Sequence, residues 1–111
     1  MQIMDQSILE KLPPLYSQED RDDPMMYVKI VSPDQSWTAY LAEGTKKGDE
    51  FVIFGLFIGA DRSWSQMSVS QLEAGLEAAG LDVHLEYGFT PAPLSSVAGF
   101  RRSPRRVAQV S

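Results

Sequence analysis

The segment from Glu50 to Gly59, Glu-Phe-Val-Ile-Phe-Gly-Leu-Phe-Ile-Gly, constrains the fold more than any other part of the chain. A strand that meets water on one face alternates apolar and polar residues, because successive side chains point to opposite faces. This one is apolar at both parities, so both of its faces need cover. The whole apolar run, Phe51 to Ala60, is ten residues long, well short of the ~18 that cross a bilayer. It therefore predicts a central strand of a soluble sheet. Gly55 and Gly59 inside it predict a bulge, a bend or the close approach of another backbone.

The flanking sequence supplies the partners. Residues 25–31 alternate as a strand, with Met26, Val28 and Ile30 on one face and Tyr27, Lys29 and Val31 on the other. Ser32-Pro33-Asp34 signals a turn. Residues 36–43 form a second strand, with Trp37, Ala39 and Leu41 opposite Thr38, Tyr40 and Ala42. Glu43–Asp49, with its two glycines, reads as a hairpin connection, and Ser63–Met67 as a short further strand. A helix follows over about 69–79: Ser68 and Gln71 have capping-box spacing, Val69, Leu72, Leu76 and Ala79 share a face, and Gly80 fits the position after the C-cap. Residues 82–89 alternate again, with Val83, Leu85, Tyr87 and Phe89 inward. At the other end, residues 5–12 predict a short helix capped by Asp5 and stopped by Pro13-Pro14. Hairpin-length connections imply antiparallel pairing. The expected fold is α+β: an antiparallel sheet of four to five strands, one main helix on one face and a short N-terminal helix.

A chain of 111 residues is one domain, expected over 1–97. Residues 95–111 carry few large apolar side chains and contain Arg-Arg-Ser-Pro-Arg-Arg, which predicts disorder in the isolated protein and a flexible basic tail over 98–111. The net charge of −5 hides an asymmetry: residues 1–100 hold 15 acidic against 6 basic residues, whereas Arg101, Arg102, Arg105 and Arg106 stand with no acid beside them. An acidic body repels nucleic-acid phosphates, so direct binding by the body is disfavoured and only the tail could reach them. The absence of cysteine excludes disulfides, thiolate metal sites and cysteine nucleophiles. With no basic, apolar leader at Met1–Asp5, the expected location is cytoplasmic.

Candidate chemistry is sparse. His84, the one histidine, and Glu86 lie two apart on a predicted strand face, but neither a nucleophile nor a pocket accompanies them. The cluster Glu19, Asp20, Asp22 and Asp23 lacks the spacing of a calcium loop. Gly55–Gly59 has neither the lysine nor the helix start of a phosphate loop. No catalytic residue, cofactor or metal ligand is expected. Of the aromatic residues, Tyr40 lies opposite Trp37 and Leu41 in the alternation, so burial of those two would expose it. Tyr16 beside the acidic cluster, and Tyr40, are the expected interface anchors.

Several segments together resemble a known family: Leu12-Pro13-Pro14-Leu15-Tyr16-Ser17-Gln18-Glu19-Asp20, Asp23-Pro24 before Tyr27-Val28-Lys29, Trp37-Thr38-Ala39-Tyr40, Glu43-Gly44, Ser68–Glu73 and Phe89-Thr90-Pro91-Ala92-Pro93-Leu94. They are similar to a family of small proteins catalogued as a domain of unknown function and carried on plasmids, integrative conjugative elements and phages. The match spans about residues 7–97 and departs from the family pattern at 62–67. The family has no agreed activity, so the resemblance implies no catalytic residue; it implies a mobile-element accessory role. The expected function is a non-enzymatic, anti-defence inhibitor of anti-CRISPR or anti-restriction type. Tyr16, Glu19, Asp20, Asp22, Asp23 and Tyr40 would occupy a nucleic-acid-binding groove of a host protein. The alternative is a nucleic-acid accessory protein binding through Arg101, Arg102, Arg105 and Arg106. Edge strands also permit a homodimer.

Overall fold

A computed structural model, which describes residues 6–98, places the apolar segment in a strand covered on both faces. In chain order the elements are α1 (Gln6–Leu9), β1 (Met25–Met26), β2 (Val28–Val31), β3 (Thr38–Lys47), β4 (Glu50–Ile58), β5 (Arg62–Ser68), α2 (Val69–Ala78), β6 (His84–Leu85), β7 (Ala92–Pro93) and α3 (Leu94–Ala98). Five strands form an antiparallel sheet of order β5-β4-β3-β2-β6, and β1 pairs with β7 in a separate two-stranded sheet. The fold is α+β, as the pattern predicts.

One face of the sheet presents Val28, Ile30, Ala39, Leu41 and Ile53 to Leu72 and Leu76 of α2 and to Leu9 and Leu12 around α1. The opposite face presents Tyr40, Ala42 and Leu56 to Met26 and Leu94, which β1, β7 and α3 bring over it. The helix α2 starts and stops where its local signals place it. Ser68 Oγ accepts from Gln71 N while Gln71 Oε1 accepts from Ser68 N. At the far end Gly80, at φ +67°, lets its N–H reach Glu77 O and the Leu81 N–H reach Leu76 O. That double closure satisfies carbonyls the helix would otherwise leave bare. Ala79, expected on the buried face, is exposed.

The strand alternations hold only in part. Met26 does not share a face with Val28 and Ile30: Met25 and Met26 pair with Pro93 and Ala92, and Met26 enters the second cluster. The alternation over 82–89 shrinks to His84–Leu85, because the chain turns after Glu86, with the Phe89 N–H on Glu86 O. Tyr87, expected inward, is therefore 84% exposed, and Phe89 lands on the second cluster. Glu43–Lys47, expected as a connection, continue β3, because the apolar strand Glu50–Phe54 offers them a full ladder. The turn is only Gly48-Asp49. Residues 95–98, expected in the tail, belong to α3, anchored by the fully buried Leu94. Asp5, and the tail arginines Arg101, Arg102, Arg105 and Arg106, lie outside the described residues.

The β2–β3 connection carries a titrating group. The Asp34 carboxylate accepts from Ser36 N, Ser36 Oγ and Ser32 Oγ at 3.0, 2.8 and 2.8 Å. These bonds, the Ser36 N–H first, lower its pKa from 3.8 to about 2. Since the folded value is the lower one, the turn contributes stability above pH 3.8 that is lost as pH falls through about 2. An NMR titration should place the Asp34 midpoint near 2. Asp34→Asn should flatten the acid limb of the stability curve in that window. A midpoint at the ordinary carboxylate value would show that the serine bonds are not formed.

Candidate binding loop

The segment after α1 does not cross open solvent. It runs along β3 and is bonded to it at successive points. The Gly44 N–H donates to Pro13 O at 2.9 Å, and the Leu15 N–H to Thr45 Oγ1 at 2.9 Å. The two oxygens of Glu43 then accept from the backbone of the loop: Oε1 from Tyr16 N and Oε2 from Gln18 N, each at 2.8 Å. Glu43 is 0% exposed. A buried carboxylate is costly unless its oxygens are satisfied, and here loop N–H groups satisfy them.

A bulge in β3 aims that side chain. Leu41 pairs with Gly55 and Glu43 with Phe54, so Ala42 is the extra residue. The extra residue reverses the parity of the rest of the strand. It puts Glu43 on the same face as Ala42 and Phe54, beneath the loop. Gln18, also buried, completes the attachment: its Nε2 donates to Met25 O and Ala42 O, and its Oε1 accepts from Met25 N.

Tyr16 sits at the tip. Its φ is 72°, in the left-handed region, and it is 44% exposed. Holding a side-chain-bearing residue there costs roughly 1–2 kcal/mol. The conformation persists because Glu43 takes the N–H groups on both sides of Ser17, and because Ser17 N and Oγ both return to Pro14 O. Three successive turns continue the loop through Arg21.

Of the residues expected to meet a partner, Tyr16, Asp20 and Asp22 are exposed along this one loop and Glu19 is half-buried. Asp23 does different work: its carboxylate accepts from Ser95 N at 2.8 Å and Ser95 Oγ at 2.7 Å, fixing the start of α3. Tyr40 corrects the expectation outright. It is 8% exposed, with its ring 6.0 Å from that of Phe89 and Lys29 Nζ 5.7 Å from its centroid. Trp37 and Leu41 do face the other way, but that face change exposes nothing, because β1, β7 and α3 cover the second face too. Glu43 and Gln18 were not among the expected site residues. The sequence shows Glu43 as an acid set between Ala42 and Gly44 beside an apolar strand, and as part of the Glu43-Gly44 step in the family resemblance.

The remaining candidates do not assemble. His84 is exposed, while Glu86 turns to Lys29, with Nζ 3.6 Å from Oε2. Among the described residues no group of three or more metal-ligating side chains forms, and no helix is long and apolar enough to cross a membrane. A cleft between Ile8, Tyr27 and Tyr87 holds about 70 Å³ and a shallow depression by Leu76 and Leu81 about 220 Å³. Both fall below the ~300–1,000 Å³ of ordinary ligand pockets. Comparison with protein-family models, curated proteins and solved structures finds no match to this chain. The reading of the loop therefore rests on its geometry.

Proposed function

We propose that the protein is a non-enzymatic binding protein that acts through the loop Pro13–Asp22. Tyr16 is its anchor, and Glu19, Asp20 and Asp22 form its charged flank. The partner is a protein with a basic surface of the kind that holds nucleic acid. The specific form of this reading is an anti-defence inhibitor of mobile-element origin, working in the cytoplasm on a CRISPR or restriction complex. One observation carries it: an exposed tyrosine is held in a strained backbone conformation by a fully buried carboxylate. Strain at an exposed residue points to function, because a solvated loop with no task would relax. Tyrosine is enriched at binding hot spots, and a pre-ordered loop loses little entropy on binding.

The test begins with capture on the full-length protein from a host with intact CRISPR and restriction systems, with and without nuclease treatment. The captured complex is then measured against a variant combining Tyr16→Ala, Asp20→Lys and Asp22→Lys. These side chains are exposed, so the fold should persist while affinity falls by about 100-fold or more. The wild-type complex should also weaken as salt rises. Equal binding by the variant overturns the reading. Capture that disappears with nuclease replaces it with nucleic-acid binding through Arg101, Arg102, Arg105 and Arg106.

A further inference from the structure

The two edges of the five-stranded sheet are unlike. At one edge β6 has only two residues, and the chain leaves it at once through Glu86, which is paired with Lys29. At the other edge β5 runs for seven residues, in unbroken register with β4 from Ile58↔Arg62 to Val52↔Ser68. Proteins that must stay apart interrupt such edges with lysine, proline, a bulge or an inward charge. β5 has none of these beyond Arg62 at its first position. From Ser63 to Leu72 there is no charged residue, although the chain carries 25 of them, 15 acidic and 10 basic.

We propose that the outer edge of β5 pairs antiparallel with the same edge of a second copy, joining two five-stranded sheets into one. Any register centred on one residue keeps its faces aligned, and the strand is complementary to itself in the two taken here. Centred on Ser65, it sets Trp64 against Gln66, Ser63 against Met67 and Arg62 against Ser68. Centred on Trp64, it sets Trp64 against Trp64, Ser63 against Ser65 and Arg62 against Gln66. No like charges meet in either, so the ladder forms without the repulsion that forbids most self-pairings. The half-buried Met67 gains cover at the seam. The binding loop is bonded to β3, two strands in from this edge. Pairing through β5 leaves both loops open and gives the dimer two of them.

Salt separates this contact from the loop's. Each copy carries a net charge of −5, so mutual repulsion opposes pairing and screening it should tighten the dimer. Sedimentation equilibrium of the full chain should show a mass rising from 12.4 kDa towards twice that value with concentration, and more readily at higher salt. A variant with Ser63→Lys and Gln66→Lys, both exposed positions on opposite faces of the strand, should need at least about tenfold more protein for the same rise. Hydrogen exchange on the wild type should show protection growing with concentration at residues 62–68 and unchanged at 84–85. A wild type that stays at 12.4 kDa up to about 1 mM overturns the proposal. So does a lysine variant that pairs as before, or protection that grows elsewhere.

Discussion

Glu43→Ala should destabilise the protein by about 3–5 kcal/mol, because hydrogen bonds to a charged group contribute roughly 1.5–3 kcal/mol each and the carboxylate accepts from both Tyr16 N and Gln18 N. The loss is a large share of the ~5–15 kcal/mol that holds a domain together. Alanine leaves the two N–H groups facing a void on the second face of the sheet. The left-handed turn at Tyr16 keeps the Ser17 bonds to Pro14 O but loses the carboxylate that offsets its strain on both sides of Ser17. Glu43→Gln keeps one acceptor oxygen and turns an N–H₂ towards the other donor, so it should lie between alanine and wild type. Urea denaturation measures the stability. Trypsin reports the loop, since Arg21 lies in it and becomes cleavable once it detaches. A Glu43→Ala protein within about 1 kcal/mol of wild type would show that the loop is held by its other bonds.

Gly55→Ala should cost about 3 kcal/mol or more, at or beyond the upper end for overpacking. A Cβ at this position would overlap the carbonyl oxygen of Tyr40 and come within 2.9 Å of Leu41 Cα. Both are backbone atoms of β3, so no rotamer change relieves the clash and the two strands must part. For a domain of this size the melting temperature should fall by roughly 15 °C. Gly59→Ala is the control. There the nearest atom is Trp37 Cδ1 at 3.3 Å, and a side chain can yield, so the cost should stay under about 1 kcal/mol. Gly55 pairs with Leu41, the last residue before the bulge that aims Glu43. The Gly55→Ala protein should therefore also lose its loop to trypsin, and combining it with Glu43→Ala should cost less than the sum. Equal melting of the Gly55 and Gly59 variants would mean that β3 and β4 are not so closely apposed.

The features legible from sequence are those whose cause is local. The helix α2 follows from Ser68, Gln71, the leucine spacing and Gly80, all within one stretch. The apolar Glu50–Gly59 segment demands two covered faces whatever covers them, and Gly55 does mark a close backbone approach. The acidic loop is legible as polar sequence between Pro13-Pro14 and a strand. What failed depends on distant partners. Alternation in 36–43 says that Tyr40 and Leu41 face opposite ways; it cannot say that residues 92–97 return to cover Tyr40. Gly44–Lys47 have loop composition, and only the facing ladder of β4 makes them strand. Glu43 reads as a surface acid until donors 25 and 27 residues away wrap round it. Even Asp23, singled out for its charge, turns inward because Ser95 waits for it.

That last contact spans 72 residues. At a synthesis rate of ~5–20 residues per second, Asp23 exists for roughly 4–14 s before the residue that receives it is made. The pairing of Met25-Met26 with Ala92-Pro93 waits as long. Everything from α1 to α2 can assemble meanwhile, since the long hairpin β3–β4 is local. On the nascent chain the downstream end of the acidic loop thus stays untethered while the sheet takes shape, and only the arrival of residues 92–95 closes it.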